Sequence, residues 1–292
     1  MAGILDRFQE LSVWQRGSER APHKPLLILL ALGALSRGEK SLSFEQAEPR
    51  LVELLKEFGP ARKAYHPEYP FWRLQNDGLW VVTADEAMRP RASNNDPPRS
   101  ELRRANAQGA FTEDVQRALL QQPATIGAVA QQVLEQSFPE TLHQDILDAV
   151  GLDDSVTVAT RRRRDPNFRR AVLVAYQFRC AMCGLDLRVG TLTVGLEAAH
   201  IKWHQAHGPD SVDNGIAFCS LHHKLFDFGA FTVADDHRVL VSEQVNGSPA
   251  VDDVLLKHHG RVMTLPRRQE ELPKPEFLSW HLSEVFKQRA LP

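Results

Sequence analysis

Only three cysteines occur among the 292 residues, an odd number and too few for a disulfide framework. Net positive charge is lacking as well. The 35 Lys and Arg are outweighed by 37 Asp and Glu, so the formal charge of -2 gives no global attraction for a polyanion. Long apolar runs are absent too. The longest, Pro25 to Leu35, is about half of the roughly 20 residues a membrane helix needs. Acidic Asp6 and Glu10 precede it where a signal peptide would be basic. The run reads as a buried core helix, and the expectation is a chain with no membrane partner in a reducing, cytoplasmic compartment. No internal repeat is visible, which excludes a solenoid or propeller. What is present is ordinary in proportion, 42% hydrophobic and 25% charged with 17 Gly and 18 Pro, which excludes a disordered or collagen-like chain. The length suits about two domains.

Charge is distributed unevenly along the chain. Glu135, Glu140, Asp145, Asp148, Asp153 and Asp154 form a stretch with no Lys or Arg, and Arg161 to Arg164 with Arg169 and Arg170 then set six arginines against the single Asp165. Such a run is on its own a solvated connection. The change of sign still marks a boundary near residue 155. We therefore expect a domain over 1–155, an Arg-rich linker over 156–165, and a second domain with a C-terminal extension over 166–292.

Before the boundary the pattern is mainly helical. Residues 4–14 carry apolar side chains at helical spacing, Pro25 suits a first helical turn, and Ser43 with Gln46 resembles a capping box, although Pro49 argues for a later start. Residues 69–74 and 79–83, joined by an Asp-Gly pair, predict a β-hairpin, and segments 98–107, 113–122, 124–136 and 139–150 read as helices. Helices plus one hairpin suit a winged-helix-like domain. After the boundary, Asp165-Pro166 opens a helix to Tyr176. Strands are expected near 185–188, 194–200, 231–233 and 238–242, with helices from Ser220 to about Phe228 and over 276–287. The fold class is α+β.

Cys180-Ala-Met-Cys183 is followed by Cys219-Ser-Leu-His222, two pairs each with two intervening residues. Tetrahedral zinc takes four such soft or borderline ligands, two on each knuckle. A cluster of buried free thiols is the plain alternative, and a redox Cys-x-x-Cys is the other, though no thioredoxin-like βαβ pattern surrounds it.

Between and just after these pairs stand Glu197-Ala-Ala-His200, Asp213-Asn214-Gly215 and His222-His223-Lys-Leu-Phe226-Asp227. Over residues 160–242 the sequence resembles the HNH endonuclease family, whose ββα-metal fold sets one His at a strand end, an Asn in a loop and a second His on a helix. The resemblance implies His200 as general base, Asn214 as the residue orienting it or its loop, and His223 as ligand of a catalytic Mg²⁺ or Mn²⁺. Structural Zn²⁺ would fall to Cys180, Cys183, Cys219 and His222. The chain departs from many HNH enzymes at Ala199, where an Asp or His serves as second metal ligand, leaving His223 with water and phosphate, and Glu197 or Asp213 as candidates for that part. His204 and His207 read as surface or DNA-contacting groups, and His258 and His259 as surface residues.

Two N-terminal segments, Arg20-Ala-Pro-His23-Lys24-Pro25 and His66-Pro-Glu-Tyr69-Pro70-Phe71-Trp72-Arg73, resemble the sulfur-binding domains of restriction endonucleases that recognise phosphorothioate-modified DNA. The resemblance spans residues 1–150. It implies a sulfur cavity at Tyr69 and Pro70 and flanking phosphate contacts from Arg20, His23, Lys24 and Arg73. Arg89, Arg91, Asn94 and Asn95 form a polar loop suited to base edges, since Arg can bond guanine and Asn adenine in the major groove. Phe71, Trp72 and Trp80 read as core aromatics.

The combined expectation is a restriction endonuclease that hydrolyses double-stranded DNA near a phosphorothioate. An HNH nuclease for another mark or a plain sequence, and a non-catalytic zinc-ribbon regulator, remain beside it. Whether two chains meet as a homodimer on DNA is left open by the sequence.

Overall fold

The computed structural model describes residues 3–11, 19, 21–152 and 166–292. Arg20, Asp153, Asp154 and the run Arg161 to Asp165, all singled out in the sequence, lie outside the described residues. Two compact units partition the described residues, one holding 3–11 and 21–152 and the other Glu19 and 166–292. Among the described residues no helix is long and apolar enough to cross a membrane. Helices and strands mix in an α+β arrangement.

The first unit is built around the helix His23–Ser36, in which every residue from Pro25 to Leu35 is buried. An all-round apolar helix has no face to offer water, so neighbours must cover every side. The helices Phe44–Phe58, Glu68–Arg73, Pro123–Ser137 and His143–Val150 do so. Each leucine so enclosed contributes about 1.5–3 kcal/mol. Ser43 caps Phe44–Phe58, its Oγ accepting from Gln46 N at 3.2 Å. Pro49 sits inside this helix and does not delay its start.

A three-stranded antiparallel sheet completes the unit, with Gln108–Phe111 between Leu42–Ser43 and Trp80–Thr83. The hairpin expected over 69–83 does not form. Residues Glu68–Arg73 are helical, a 3₁₀ turn follows over Leu74–Asp77, and only Trp80–Thr83 is a strand, paired with Phe111 to Gln108. The reason is in the burial: Pro67, Pro70, Phe71 and Leu74 face inward, a helical period and not an alternating one. Gly78, at φ 69°, ends the turn in the left-handed region, so the Asp-Gly pair closes a helix where a hairpin turn was expected.

In the second unit, strand Leu196–His200 pairs antiparallel with Gly215–Cys219, His200 opposite Gly215 and Leu196 opposite Cys219. Gly215–Cys219 went unassigned in the sequence because all five residues are buried and show no alternation. The helices Pro166–Ala175 and Ser220–Asp227 pack against this pair. The strand expected near 185–188 lies at Arg188–Val189, paired with Leu192–Thr193, and Phe231–Val233 pairs with Val239–Val241. The C-terminal segment is part of the core. In its helix Pro275–Glu284, the His281 ring stacks on Phe226 at 3.6 Å and Trp280 meets Trp203 at 5.9 Å.

Candidate functional site

The first cluster of reactive groups lies at the end of strand Gly215–Cys219. Cys180 and Cys183 come from a turn in which Gly184 N–H donates to Cys180 O, and Cys219 and His222 come from the strand end and the first turn of the next helix. One donor atom from each of the four lies within 4.8 Å of the others. Ligands 2.3 Å from a tetrahedral ion stand about 3.8 Å apart, so the set fits zinc in size as well as softness. His222 presents Nδ1 to Cys219 Sγ at 3.1 Å and Cys180 Sγ at 3.6 Å, while its Nε2–H donates to Val254 O at 2.9 Å. That outer bond fixes the tautomer that a metal needs. The thiols share protons: contacts from Cys180 and Cys183 pull Cys219 down, and contacts with Cys180 and Cys219 push Cys183 up. A dication replaces such protons with its own charge. Among the described residues no other group of three or more Cys, His, Asp or Glu side chains converges this way.

His200 ends its strand, with its ring stacked on Phe168 at 4.1 Å and its Nε2 2.7 Å from Asp210 Oδ1. Asn214 is fully buried. Its side chain does not orient the imidazole directly. Nδ2 donates to Lys202 O and Pro209 O at 3.0 and 2.9 Å, and Oδ1 accepts from Lys202 N at 2.8 Å, so the amide clamps the intervening loop.

His223 is buried between two carboxylates on opposite ring nitrogens, Glu197 Oε2 at 2.6 Å from Nδ1 and Asp227 Oδ2 at 3.2 Å from Nε2. Burial alone would depress the imidazole, but Asp227 and Glu197 outweigh it and push it up to about 9. Asp227 is itself buried, accepting from Trp203 Nε1 at 3.1 Å. Glu197 is partly exposed and shares a strand face with Ala199. It therefore stands beside His223 where Ala199 offers no ligand. Asp213 is occupied elsewhere, with Lys274 Nζ at 2.7 Å and Ser211.

His204 and His207 are exposed. His258 and His259, expected at the surface, are half-buried: the His258 ring packs on His222 at 6.0 Å and His259 Nδ1 accepts from Val241 N at 3.0 Å. Phe168 and Trp203 support the site from positions whose sequence context gave no signal for it. The Phe226-Asp227 pair was visible only as part of a motif.

In the first unit, Tyr69 is half-buried, with the guanidinium of Arg73 at 4.5 Å and of Arg91 at 5.3 Å from its ring centre and the His66 ring stacked at 5.3 Å. Pro70 is buried, so Tyr69 is the member of the pair that reaches the surface. Buried carboxylates hold the cations in place. Glu68 accepts from Arg99 Nε at 2.8 Å and Arg91 Nη2 at 3.1 Å, and Asp96 accepts from Arg73 Nε at 2.8 Å. His23 is pushed down to about 4 by burial, with Arg62 and His66 adding to it, so it is a neutral group at pH 7. Lys24 is paired with Asp77 at 2.5 Å, and Arg89 is exposed, its backbone N–H held by Glu101.

Burial raises the Glu68 carboxyl, but Arg99 and His66 outweigh that and hold it below the usual carboxylate value. A depressed carboxyl adds stability above its unfolded value and loses it as pH falls through the folded one. Glu68→Gln is expected to lower the unfolding free energy by about 2 kcal/mol at pH 7. In urea titrations that difference shrinks once the pH is below about 4. An undiminished difference at pH 3 would mean that the effect is not electrostatic.

Residues 1–155 match the family described as ScoMcrA-like, DNA sulfur-binding domain, and residues 180–234 match the HNH endonuclease family. The sulfur binding domain of ScoMcrA complexed with phosphorothioated DNA is 21% identical, covering 54% of this chain and 100% of that one, with a TM-score of 0.46. The sulfur binding domain of SprMcrA complexed with phosphorothioated DNA is 24% identical over 51% of this chain and 91% of that one, with a TM-score of 0.43. The Type IV phosphorothioation-dependent restriction endonuclease ScoMcrA is 21% identical over 52% of this chain and 33% of that one, with a TM-score of 0.44. No curated protein matches the chain.

Proposed function

The chain belongs to the family of ScoMcrA-like DNA sulfur-binding domains through residues 1–155 and joins that domain to an HNH endonuclease domain, and we propose that it is a restriction endonuclease that cuts double-stranded DNA near a phosphorothioate. The observation that carries this reading is the joining, on one chain, of a sulfur-binding domain to His200 at a strand end, Asn214 in the 3₁₀ turn that leads into the second strand, and His223 on the helix that follows, the order of a ββα-metal motif.

Sulfur in place of a phosphate oxygen is larger, softer and more weakly hydrated, so an apolar recess accepts it more readily than oxygen. Tyr69 supplies the aromatic wall at the surface, with Pro70 behind it. Arg73 and Arg91, held over the Tyr69 ring, take the remaining phosphate charge. Arg89, Asn94 and Asn95 are the exposed members of the base-reaching loop, His23 serves as a neutral hydrogen-bonding group, and Lys24 must leave Asp77 to reach a phosphate.

At the nuclease site His200 takes the proton of the attacking water, a task suited to an imidazole whose ordinary pKa is near 6.5. Asn214 holds the loop beside it. His223 and Glu197 are the residues we assign to a divalent ion, Mg²⁺ or Mn²⁺, and so small a protein ligand set suits hard cations that keep several waters and phosphate oxygens. When bound, the ion supplies charge stabilisation at the phosphoryl and leaving oxygens. Asp227 accepts from Nε2–H of His223 and so orients its other nitrogen. Zinc is the ion we assign to Cys180, Cys183, Cys219 and His222, where it ties the knuckle to the helix carrying His223.

Two duplexes differing by a single sulfur, titrated at fixed salt because phosphate contacts make affinity salt-dependent, are expected to differ in Kd by about tenfold or more, which is 1.4 kcal/mol. Tyr69→Ala should erase that difference while leaving binding to the unmodified duplex unchanged. Equal affinity of the unaltered protein for both duplexes would remove the sulfur reading and leave the nuclease standing.

A further inference from the structure

We propose that Asp210 is a positioning residue that holds His200 in one tautomer, an inference that rests on the reading of His200 as the general base. Asp210 Oδ1 lies 2.7 Å from His200 Nε2. An ionised carboxylate can only accept a hydrogen bond, so Nε2 carries the proton and the lone pair of the neutral ring resides on Nδ1. The same carboxylate stabilises the imidazolium that forms once the ring has taken a proton from water. Two restraints then define the ring. Phe168, stacked at 4.1 Å and 14°, fixes its plane, and Asp210 fixes its rotation within that plane.

The placement of Asp210 is itself determined by the loop. Asn214 Nδ2 donates to the carbonyl of Pro209, the residue immediately before Asp210, and to that of Lys202, two residues after His200. Gly208 permits this closure: a Cβ there would lie 1.8 Å from Lys202 O and 2.9 Å from Asn214 Nδ2. The orienting influence of Asn214 thus passes through backbone to Asp210, and from Asp210 to the imidazole. His204 meets the ring from the same loop at 6.4 Å, edge to face.

The test compares Asp210→Asn, Asp210→Glu and His200→Ala in the full chain loaded with zinc. Zinc content and thermal midpoint verify that each variant is folded. Asp210→Asn is expected to lower kcat by about 10- to 100-fold, as for other groups that orient a functional His, with KM for the DNA unchanged. The ¹⁵N shifts of the His200 ring should move from a single Nε2–H tautomer toward a mixture. Asp210→Glu, which keeps the acceptor, should recover part of both. Unchanged ring shifts and unchanged kcat in Asp210→Asn would overturn the proposal. Cleavage surviving in His200→Ala would overturn the general-base reading instead, while the ring shifts would still report whether Asp210 holds the imidazole.

Discussion

His200→Ala is expected to reduce DNA cleavage by about 10²- to 10⁴-fold, the contribution of a positioned general base, while zinc content and affinity for DNA stay as they are. The retention of binding follows from where the side chain sits. His200 is at the end of its strand with part of its ring exposed, and its partners include Phe168 and Asp210, which lie outside the set of Cys180, Cys183, Cys219 and His222. Removing the imidazole therefore uncovers one face of Phe168 but leaves the strand pairing and Asn214's clamp in place. Nicking of a supercoiled plasmid with added Mg²⁺ or Mn²⁺ measures the loss, and metal analysis of the same sample verifies the zinc. Cleavage within tenfold of the unaltered protein would show that another group takes the proton.

Removing the zinc that we assign to Cys180, Cys183, Cys219 and His222 is expected to have the larger structural effect. Structural zinc contributes about 10–16 kcal/mol of apparent binding free energy in small domains, comparable to the whole stability of a domain, about 5–15 kcal/mol. Cys180→Ser, or chelation of the full chain, should unfold the second unit and abolish cleavage. Cys180, Cys219 and His222 are buried among its core side chains, so the loss cannot be confined to the surface. Because the sulfur reader belongs to the other unit, discrimination between sulfur and oxygen duplexes should survive. Emission from Trp203 and Trp280, both buried in the second unit, should report the unfolding. A chelated protein that is metal-free yet cuts DNA would contradict this account.

The cluster of Cys180, Cys183, Cys219 and His222 was legible in the sequence because such a set depends on residue identity and short spacing, and both survive in one dimension. The Ser43 cap was legible for a similar reason. The 69–74 segment was misread because Tyr, Phe and Trp favour strands by propensity, whereas the inward-facing Pro67, Pro70, Phe71 and Leu74 obey a helical period. Phe168 and Asp210 were not legible as partners of His200. They come from a preceding helix and a loop, and only the antiparallel register of Leu196–His200 with Gly215–Cys219 brings them to the same ring. The choice of Glu197 over Asp213 likewise needed the helix Ser220–Asp227 to be placed.

The helix His23–Ser36, buried on every side, also bears on how the chain is made. It leaves the ribosome more than a hundred residues before His143–Val150, one of the helices that enclose it. At about 5–20 residues per second that is a delay on the order of 10 s. During that interval an eleven-residue apolar run has Phe44–Phe58 and Glu68–Arg73 as its first cover, with Pro123–Ser137 following late in it. The DNA-reading half of the enzyme therefore cannot enclose this helix on every side until late in the synthesis of its own domain.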